Sequence, residues 1–150
     1  MKMDNEKYMR QALALAAEAA AAGEVPVGCI IVDGAGTVID EGRNRREETR
    51  CVSGHAEMEA LEQACRARGD WRLDDCTLYV TLEPCPMCAG AMINARLGTL
   101  VYGAREPQFG SAASILNLFA EAYPSRTAIL GGMLAEESAA LMKDFFEKKR

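Results

Sequence analysis

The sequence predicts a three-layer α/β/α fold, in which a mixed sheet of five strands is covered by helices on both faces. Short, β-branched apolar stretches alternate with longer helical stretches over most of the chain, a pattern typical of buried parallel strands. The first two apolar stretches are instead joined by the turn sequence Asp33-Gly34-Ala35-Gly36, which predicts an antiparallel hairpin. The length of 150 residues fits a single domain, so we expect one domain over residues 1–150.

The first third of the chain predicts one helix, the hairpin and a loop. Residues 4–22 have helical periodicity, and Gly23 ends the helix. The apolar face of this helix is formed by Met9, Leu13, Ala16 and Ala20. Residues 27–32 and 37–41 form the hairpin strands, and the polar stretch 43–54 is predicted to be a loop.

The remainder of the chain alternates between helices and strands. The predicted helices are 56–68, 85–94, 113–122 and 135–149, and the predicted strands are 77–82, 99–102 and 128–130. The positions expected to face the core are Ala56, Ala60, Leu61 and Ala64 in the first of these helices and Leu141, Met142 and Phe145 in the last. The complete order is α-β-β-α-β-α-β-α-β-α.

Composition and charge exclude several classes of protein. Apolar residues make up 49% and charged residues 26%, which excludes disordered and fibrous chains. The net charge of −5 excludes a uniformly basic nucleic-acid protein, although a local basic patch remains possible. No apolar run approaches the ~20 residues of a membrane span, and the first eight residues lack the apolar core of a secretory signal. We therefore expect a cytoplasmic location and no membrane partner.

The six cysteines do not predict a disulfide framework, because a chain of this length and apolar content can build a core without cross-links. Cys29, Cys65 and Cys76 lie in or beside predicted strands and helices, so we expect buried free thiols there. Cys85 and Cys88 belong to a separate motif.

The chemistry is expected from two short motifs, His55-Ala56-Glu57 and Pro84-Cys85-Pro86-Met87-Cys88. Taken alone, His55 could be a surface residue, and a Cys-x-x-Cys pair could be a redox dithiol or half of a zinc ribbon. Cys85 and Cys88 lie one helical turn apart, and His55 begins the preceding helix, so all three can meet where helix N-termini gather at one sheet edge. We therefore predict that His55, Cys85 and Cys88 bind one Zn²⁺ with its fourth position open, as in catalytic sites.

Glu57 follows His55 by two residues, near enough to reach a water molecule at the metal without binding the metal itself. We predict that it is the catalytic proton shuttle. The alternative is a helix N-terminal glutamate that is favoured by the helix dipole.

The two motifs together form the H-x-E…P-C-x-x-C pattern, and the chain resembles the bacterial tRNA-specific adenosine deaminases of the cytidine deaminase-like zinc deaminase superfamily. Further segments that resemble the family are Val25-Pro26-Val27-Gly28, Gly42-Arg43-Asn44-Arg45, Thr77-Leu78-Tyr79-Val80-Thr81-Leu82-Glu83-Pro84-Cys85, Cys88-Ala89-Gly90-Ala91-Met92-Ile93 and Tyr102-Gly103-Ala104-Arg105. The resemblance implies a single CMP/dCMP-type zinc deaminase domain with the cytidine deaminase-like fold, a homodimer, and conversion of adenosine to inosine at the tRNA anticodon wobble position. The substrate contacts that it implies are Asn44, Ala56, Glu83 and Pro84.

Two loops depart from the family pattern on the substrate side. Cys51-Val52-Ser53-Gly54 stands where relatives usually read D-P-T-A, and Glu106-Pro107-Gln108-Phe109-Gly110-Ser111 replaces a segment that usually carries a lysine. These changes keep a second hypothesis open, a deaminase of a free purine base or nucleoside such as guanine. A third hypothesis is a non-catalytic zinc or redox module, which has no need of Glu57.

A tRNA anticodon stem-loop as partner requires local positive charge, since phosphate neutralisation dominates RNA affinity. The candidates are Arg43, Arg45, Arg46 and Arg50, with a second cluster at Lys148-Lys149-Arg150.

Overall fold

The computed structural model describes residues 4–149 and contains a five-stranded mixed sheet between two layers of helices. The helices are α1 (Asn5–Ala21), α2 (Arg46–Thr49), α3 (Ala56–Arg68), α4 (Pro86–Asn94) and α5 (Ala135–Lys148). The strands are β1 (Gly28–Val32), β2 (Val38–Arg43), β3 (Thr77–Leu82), β4 (Thr99–Ala104) and β5 (Ala128–Leu130). The predicted three-layer fold is confirmed.

The strand order is β2-β1-β3-β4-β5. Strand β1 is antiparallel to both of its neighbours, whereas β3, β4 and β5 are parallel. Because β2 and β3 both oppose β1, they run in the same direction. The carboxyl ends of β2, β3 and β4 therefore lie at one edge of the sheet, which is where ligands bind in folds of this type.

Both faces of the sheet are largely buried at the three central strands, β1, β3 and β4. In β1, Cys29 and Ile31 belong to a core cluster that includes residues of α3, whereas Ile30 and Val32 belong to the cluster with α1. This alternation is the period of two that a strand covered on both sides requires. Among residues 4–149, no helix is long and apolar enough to cross a bilayer.

Helix α3 lies very close to the hairpin. A side chain at Gly42 of β2 would come within 3.0 Å of the backbone nitrogen of Ala60, so glycine is needed for this approach. The predicted core positions Ala56, Ala60, Leu61 and Ala64 are all buried, and Gly69 ends the helix in the left-handed conformation.

Several predicted elements differ from the structure. Stretch 113–122 is not a helix: only Leu118–Ala120 form a 3-10 turn, while 43–54 contains the short helix α2. In α1 the buried face includes Met9 and Ala16, as predicted, but Leu13 and Ala20 are only partly buried. Of the basic tail, Arg150 lies outside the described residues.

The free cysteines are Cys29, Cys51, Cys65, Cys76, Cys85 and Cys88. Cys29 and Cys76 are buried as predicted, whereas Cys65 is partly exposed.

Tyr79 on β3 makes the stability of the domain sensitive to alkaline pH. Its hydroxyl donates to Asn5 Oδ1 at 2.6 Å, and burial raises the pKa of Tyr79 to about 12. The unfolded chain releases this proton near pH ~10, so the free energy of unfolding falls by about 2–3 kcal/mol as the pH rises from ~10 to ~12. We expect Tyr79→Phe to make this fall shallower in urea unfolding across that range. Tyr123→Phe, at an exposed position, is the control, and an unchanged slope in Tyr79→Phe would contradict the assignment.

Candidate active site

Three strand ends bring the predicted site residues to one edge of the sheet. Asn44 directly follows β2, Cys85 lies three residues beyond β3, and Glu106 lies two residues beyond β4. His55 and Cys85 are the N-cap residues of α3 and α4, each with extended backbone and no side-chain capping hydrogen bond. Pro86 follows at the first position of α4, where proline is favoured. The cap side chains are therefore free to bind a ligand.

The three predicted metal ligands converge. His55 Nδ1 lies 3.6 Å from Cys85 Sγ and 3.6 Å from Cys88 Sγ, and all three atoms lie within 4.8 Å of one another. A tetrahedral Zn²⁺ with Zn–S bonds of ~2.3 Å and Zn–N bonds of ~2.0–2.1 Å places such atoms roughly 3.5–3.8 Å apart. The side chains as they stand fit a zinc ion with three protein ligands.

The pKa values of the two thiols, Cys85 and Cys88, are shifted in opposite directions. The hydrogen bond with Cys88, helped by His55, lowers the pKa of Cys85 to about 4 despite partial burial. The same hydrogen bond, together with burial, raises the pKa of Cys88. The hydrogen bond with Cys85 raises the pKa of His55. One thiol of the pair is thus ready to act as a thiolate, the form that binds metals.

Glu57 is a buried carboxyl group beside this cluster, with 4% of its surface exposed. Burial raises the pKa of Glu57 to about 7. A buried carboxyl group with no arginine or lysine partner among residues 4–149 is unusual, since burial disfavours its charged form. Such groups are typical of catalytic sites.

Asn44 is buried, and its side chain braces the loop after β2. Its Nδ2 donates to the Val25 carbonyl at 3.3 Å, and its Oδ1 accepts from the Arg46 N–H at 3.1 Å. Glu24, which no sequence motif indicated, is also buried and accepts from the N–H groups of Glu47 and Glu48 at 3.0 and 2.7 Å. Glu24 thereby fixes the first turn of α2.

Glu83 anchors the loop that follows β4. Its carboxylate accepts hydrogen bonds from the N–H groups of Glu106, Ala112, Ala113 and Ser114 and from the Ser114 hydroxyl. Burial opposes ionisation of Glu83, but these bonds outweigh it and lower the pKa of Glu83. A side chain at Gly110 would lie 2.5 Å from this carboxylate, so the loop needs glycine there.

A cavity of about 620 Å³ opens onto these groups. Its lining residues include Asn44, Arg46, Val52, His55, Ala56, Glu57, Glu83, Cys85, Glu106, Gln108, Phe109, Met142 and Phe146. Pro84 is not among them: it is buried, and its carbonyl accepts from the Ser111 N–H at 2.9 Å.

The arginine cluster divides into two groups. Arg43 pairs with Glu48 at 3.3 Å, and Arg45 pairs with Glu48 and Glu59 at 3.2 and 3.0 Å. Within residues 4–149, Arg46 and Arg50 form no ion pair. Of these two, Arg46 lines the cavity.

Comparison of the sequence with known proteins gives one family and close relatives. The MafB19-like deaminase family matches residues 3–150. A tRNA-specific adenosine deaminase of Bacillus subtilis is 40% identical over 147 residues, covering 97% of this chain and 91% of that protein. A tRNA(Ile)-lysidine synthase of Deinococcus radiodurans is 43% identical over 142 residues, covering 95% of this chain. The chain spans only 24% of the length of that synthase.

Solved structures of deaminases superpose on this chain over most of its length. A structure from a study of A-to-I editing by tRNA:A34 deaminases at the wobble position superposes with a TM-score of 0.86 at 38% identity, covering 90% of this chain and 98% of that one. A guanine deaminase from Nitrosomonas europaea gives a TM-score of 0.84 at 25% identity, covering 97% of this chain and 86% of that one.

Proposed function

Because the chain belongs to the MafB19-like deaminase family, we propose that it converts adenosine to inosine, with release of ammonia, at the wobble position of a tRNA anticodon. The observation that carries the reaction is the meeting of His55, Cys85, Cys88 and buried Glu57 at one cavity. The substrate assignment rests on similarity to tRNA-specific adenosine deaminases over nearly the whole chain.

His55, Cys85 and Cys88 would hold one Zn²⁺ per chain. When bound, the ion would lower the pKa of a water molecule to about 7, so that hydroxide is available as the nucleophile at neutral pH.

Glu57 performs the proton transfers. Its carboxylate accepts a proton from the attacking water and delivers it to the ring nitrogen of adenine. It then takes the remaining proton of the hydroxyl now on the ring carbon and passes it to the amine, which leaves as ammonia as the C–N bond breaks. Positioned general acid–base groups contribute about 10²–10⁴ in rate. The low exposure of Glu57 keeps bulk water from competing for these protons.

Asn44 and the walls of the cavity orient the nucleoside. One Nδ2 hydrogen of Asn44 is committed to Val25, which leaves the second hydrogen for the substrate. Ala56 and Glu83 line the cavity wall. Pro84 does not line the cavity and contributes indirectly, because its carbonyl accepts a hydrogen bond from the Ser111 N–H.

The proposal extends to the whole chain: one deaminase domain over residues 1–150 that acts as a homodimer on cytoplasmic tRNA. Mass determination by light scattering tests the dimer.

Inosine formation tests the substrate. We expect an anticodon stem-loop to be deaminated far faster than free adenosine, guanine or cytidine. Its affinity is expected to fall with salt, with a slope of about −0.7 for each phosphate neutralised. The measurement is product analysis with each substrate at several salt concentrations. If guanine is turned over rapidly and without dependence on salt, and the stem-loop is not deaminated, the free-purine alternative replaces this proposal. The similarity to the N. europaea guanine deaminase is the observation that favours this alternative.

A further inference from the structure

Phe109 is an aromatic residue at the mouth of the active-site cavity. It lines the cavity, yet 62% of its surface is exposed. Packing within this chain therefore does not account for a large apolar ring at this position. Exposed aromatic rings beside a binding cavity are typical of contact surfaces for a partner.

The backbone around Phe109 is fixed from several sides. Its N–H donates to Glu106 Oε2 at 2.6 Å, and its carbonyl accepts from the Ser111 hydroxyl at 3.0 Å. The flanking residues Glu106 and Ala112 are both held by Glu83. Because this backbone is already fixed, the ring is preorganised and loses little conformational entropy when a partner packs on it.

The cavity has more room than one base requires. Its volume of about 620 Å³ lies within the range of roughly 300–1,000 Å³ that drug-sized ligands occupy, and a purine is much smaller than such ligands. Space near the mouth therefore remains for a neighbouring nucleotide.

Of the part of the chain that the structure describes, Arg46 is the one arginine or lysine among the residues that line the cavity, which also include Glu57, Glu83 and Glu106. Arg46 lines the same cavity and has no ion-pair partner within residues 4–149. A guanidinium group without an ion-pair partner can bind a phosphate, and an exposed ring that lines the same cavity can contact a base.

We propose that Phe109 is a stacking platform for the unpaired base that adjoins the target adenosine in the RNA loop, with Arg46 on the phosphate between them. This inference rests on the proposed function. Aromatic side chains stack on splayed bases in single-stranded RNA whatever the base, so the contact selects an RNA loop over a free purine without reading sequence.

Removing either partner of the stack tests the inference. Phe109→Ala should lower kcat/KM for the anticodon stem-loop by roughly 5- to 150-fold, mainly through KM. The same variant should lose little further activity on a stem-loop with an abasic site at the adjoining position, because the stacking partner is already absent. Abasic sites on each side of the target identify which neighbour is stacked. Phe109→Trp should retain the activity, and Phe109→Leu should not.

Ile115→Ala is the matched control, since Ile115 is 60% exposed in the same segment but does not line the cavity. We expect it to match the wild type. The inference would be overturned if Phe109→Ala lowered kcat/KM equally on the intact stem-loop and on both abasic stem-loops. It would also be overturned if Phe109→Ala changed the oligomeric state, because Phe109 would then belong to a protein interface. If the wild type deaminates the stem-loop and Phe109→Ala does so equally well, this inference alone is overturned. If the wild type does not deaminate the stem-loop, the proposed function is overturned as well.

Discussion

Glu57→Ala is expected to lower turnover by about 10²–10⁴ or more while the protein stays folded and keeps its zinc. Glu57 is buried beside the ligand cluster but is not one of the three side chains whose ligand atoms converge. Its loss should therefore remove the proton transfers and spare the metal. The measurements are kcat under saturating stem-loop, zinc content by elemental analysis, and thermal unfolding.

Two further variants make this result specific. Glu57→Gln keeps the shape of the side chain but has no acidic proton, so it should be as inactive as Glu57→Ala. Glu62→Gln changes an exposed glutamate of the same helix and should behave as the wild type. Wild-type turnover in Glu57→Ala would remove Glu57 from the mechanism, and loss of zinc from that variant would move it into the metal site.

Cys88→Ser is expected to abolish tight zinc binding and to lower stability together. Purified wild-type protein should carry about one zinc per chain. When free zinc exceeds the dissociation constant by a factor of ~100–1,000, binding stabilises the fold by about 3–4 kcal/mol, and the variant should lose this amount. Elemental analysis and urea unfolding measure both effects.

A chelator separates loss of metal from loss of packing at this buried thiol. It should destabilise the wild type but leave Cys88→Ser unchanged. Cys65→Ser replaces a partly exposed cysteine in the last turn of α3, at the opposite end of the helix from His55, and should keep its zinc. Full zinc occupancy in a variant that lacks both Cys85 and Cys88 would contradict the ligand assignment.

Features with local causes could be predicted from the sequence. Helix α3, strand β3 and strand β5 have the predicted bounds, since periodicity marks these elements and Gly69, Pro84 and Gly131 follow them. The convergence of His55 with Cys85 and Cys88 also follows from sequence, because both motifs begin helices at the same edge of the sheet.

The features that were missed depend on contacts between distant residues. Glu24 caps the first turn of α2 from more than twenty residues away. Glu83 accepts hydrogen bonds from the N–H groups of Ala112, Ala113 and Ser114, which lie in turns and not in the predicted helix. No local pattern reports that a buried carboxylate will bind a remote backbone segment. In the same way, the ion pair of Arg45 with Glu59, which lies on α3, could not be read from a run of arginines.

The anchoring of one loop by Glu83 bears on how a chain of this kind can evolve. A single carboxylate fixes the loop at Glu106 and at 112–114, so the backbone does not depend on the side chains at the tip. Gln108 and Phe109 at that tip reach the cavity. Mutations there can change what the mouth accepts while the residues that carry out the reaction stay in place. Divergence in substrate preference among relatives can therefore accumulate in this loop while its backbone anchors are retained.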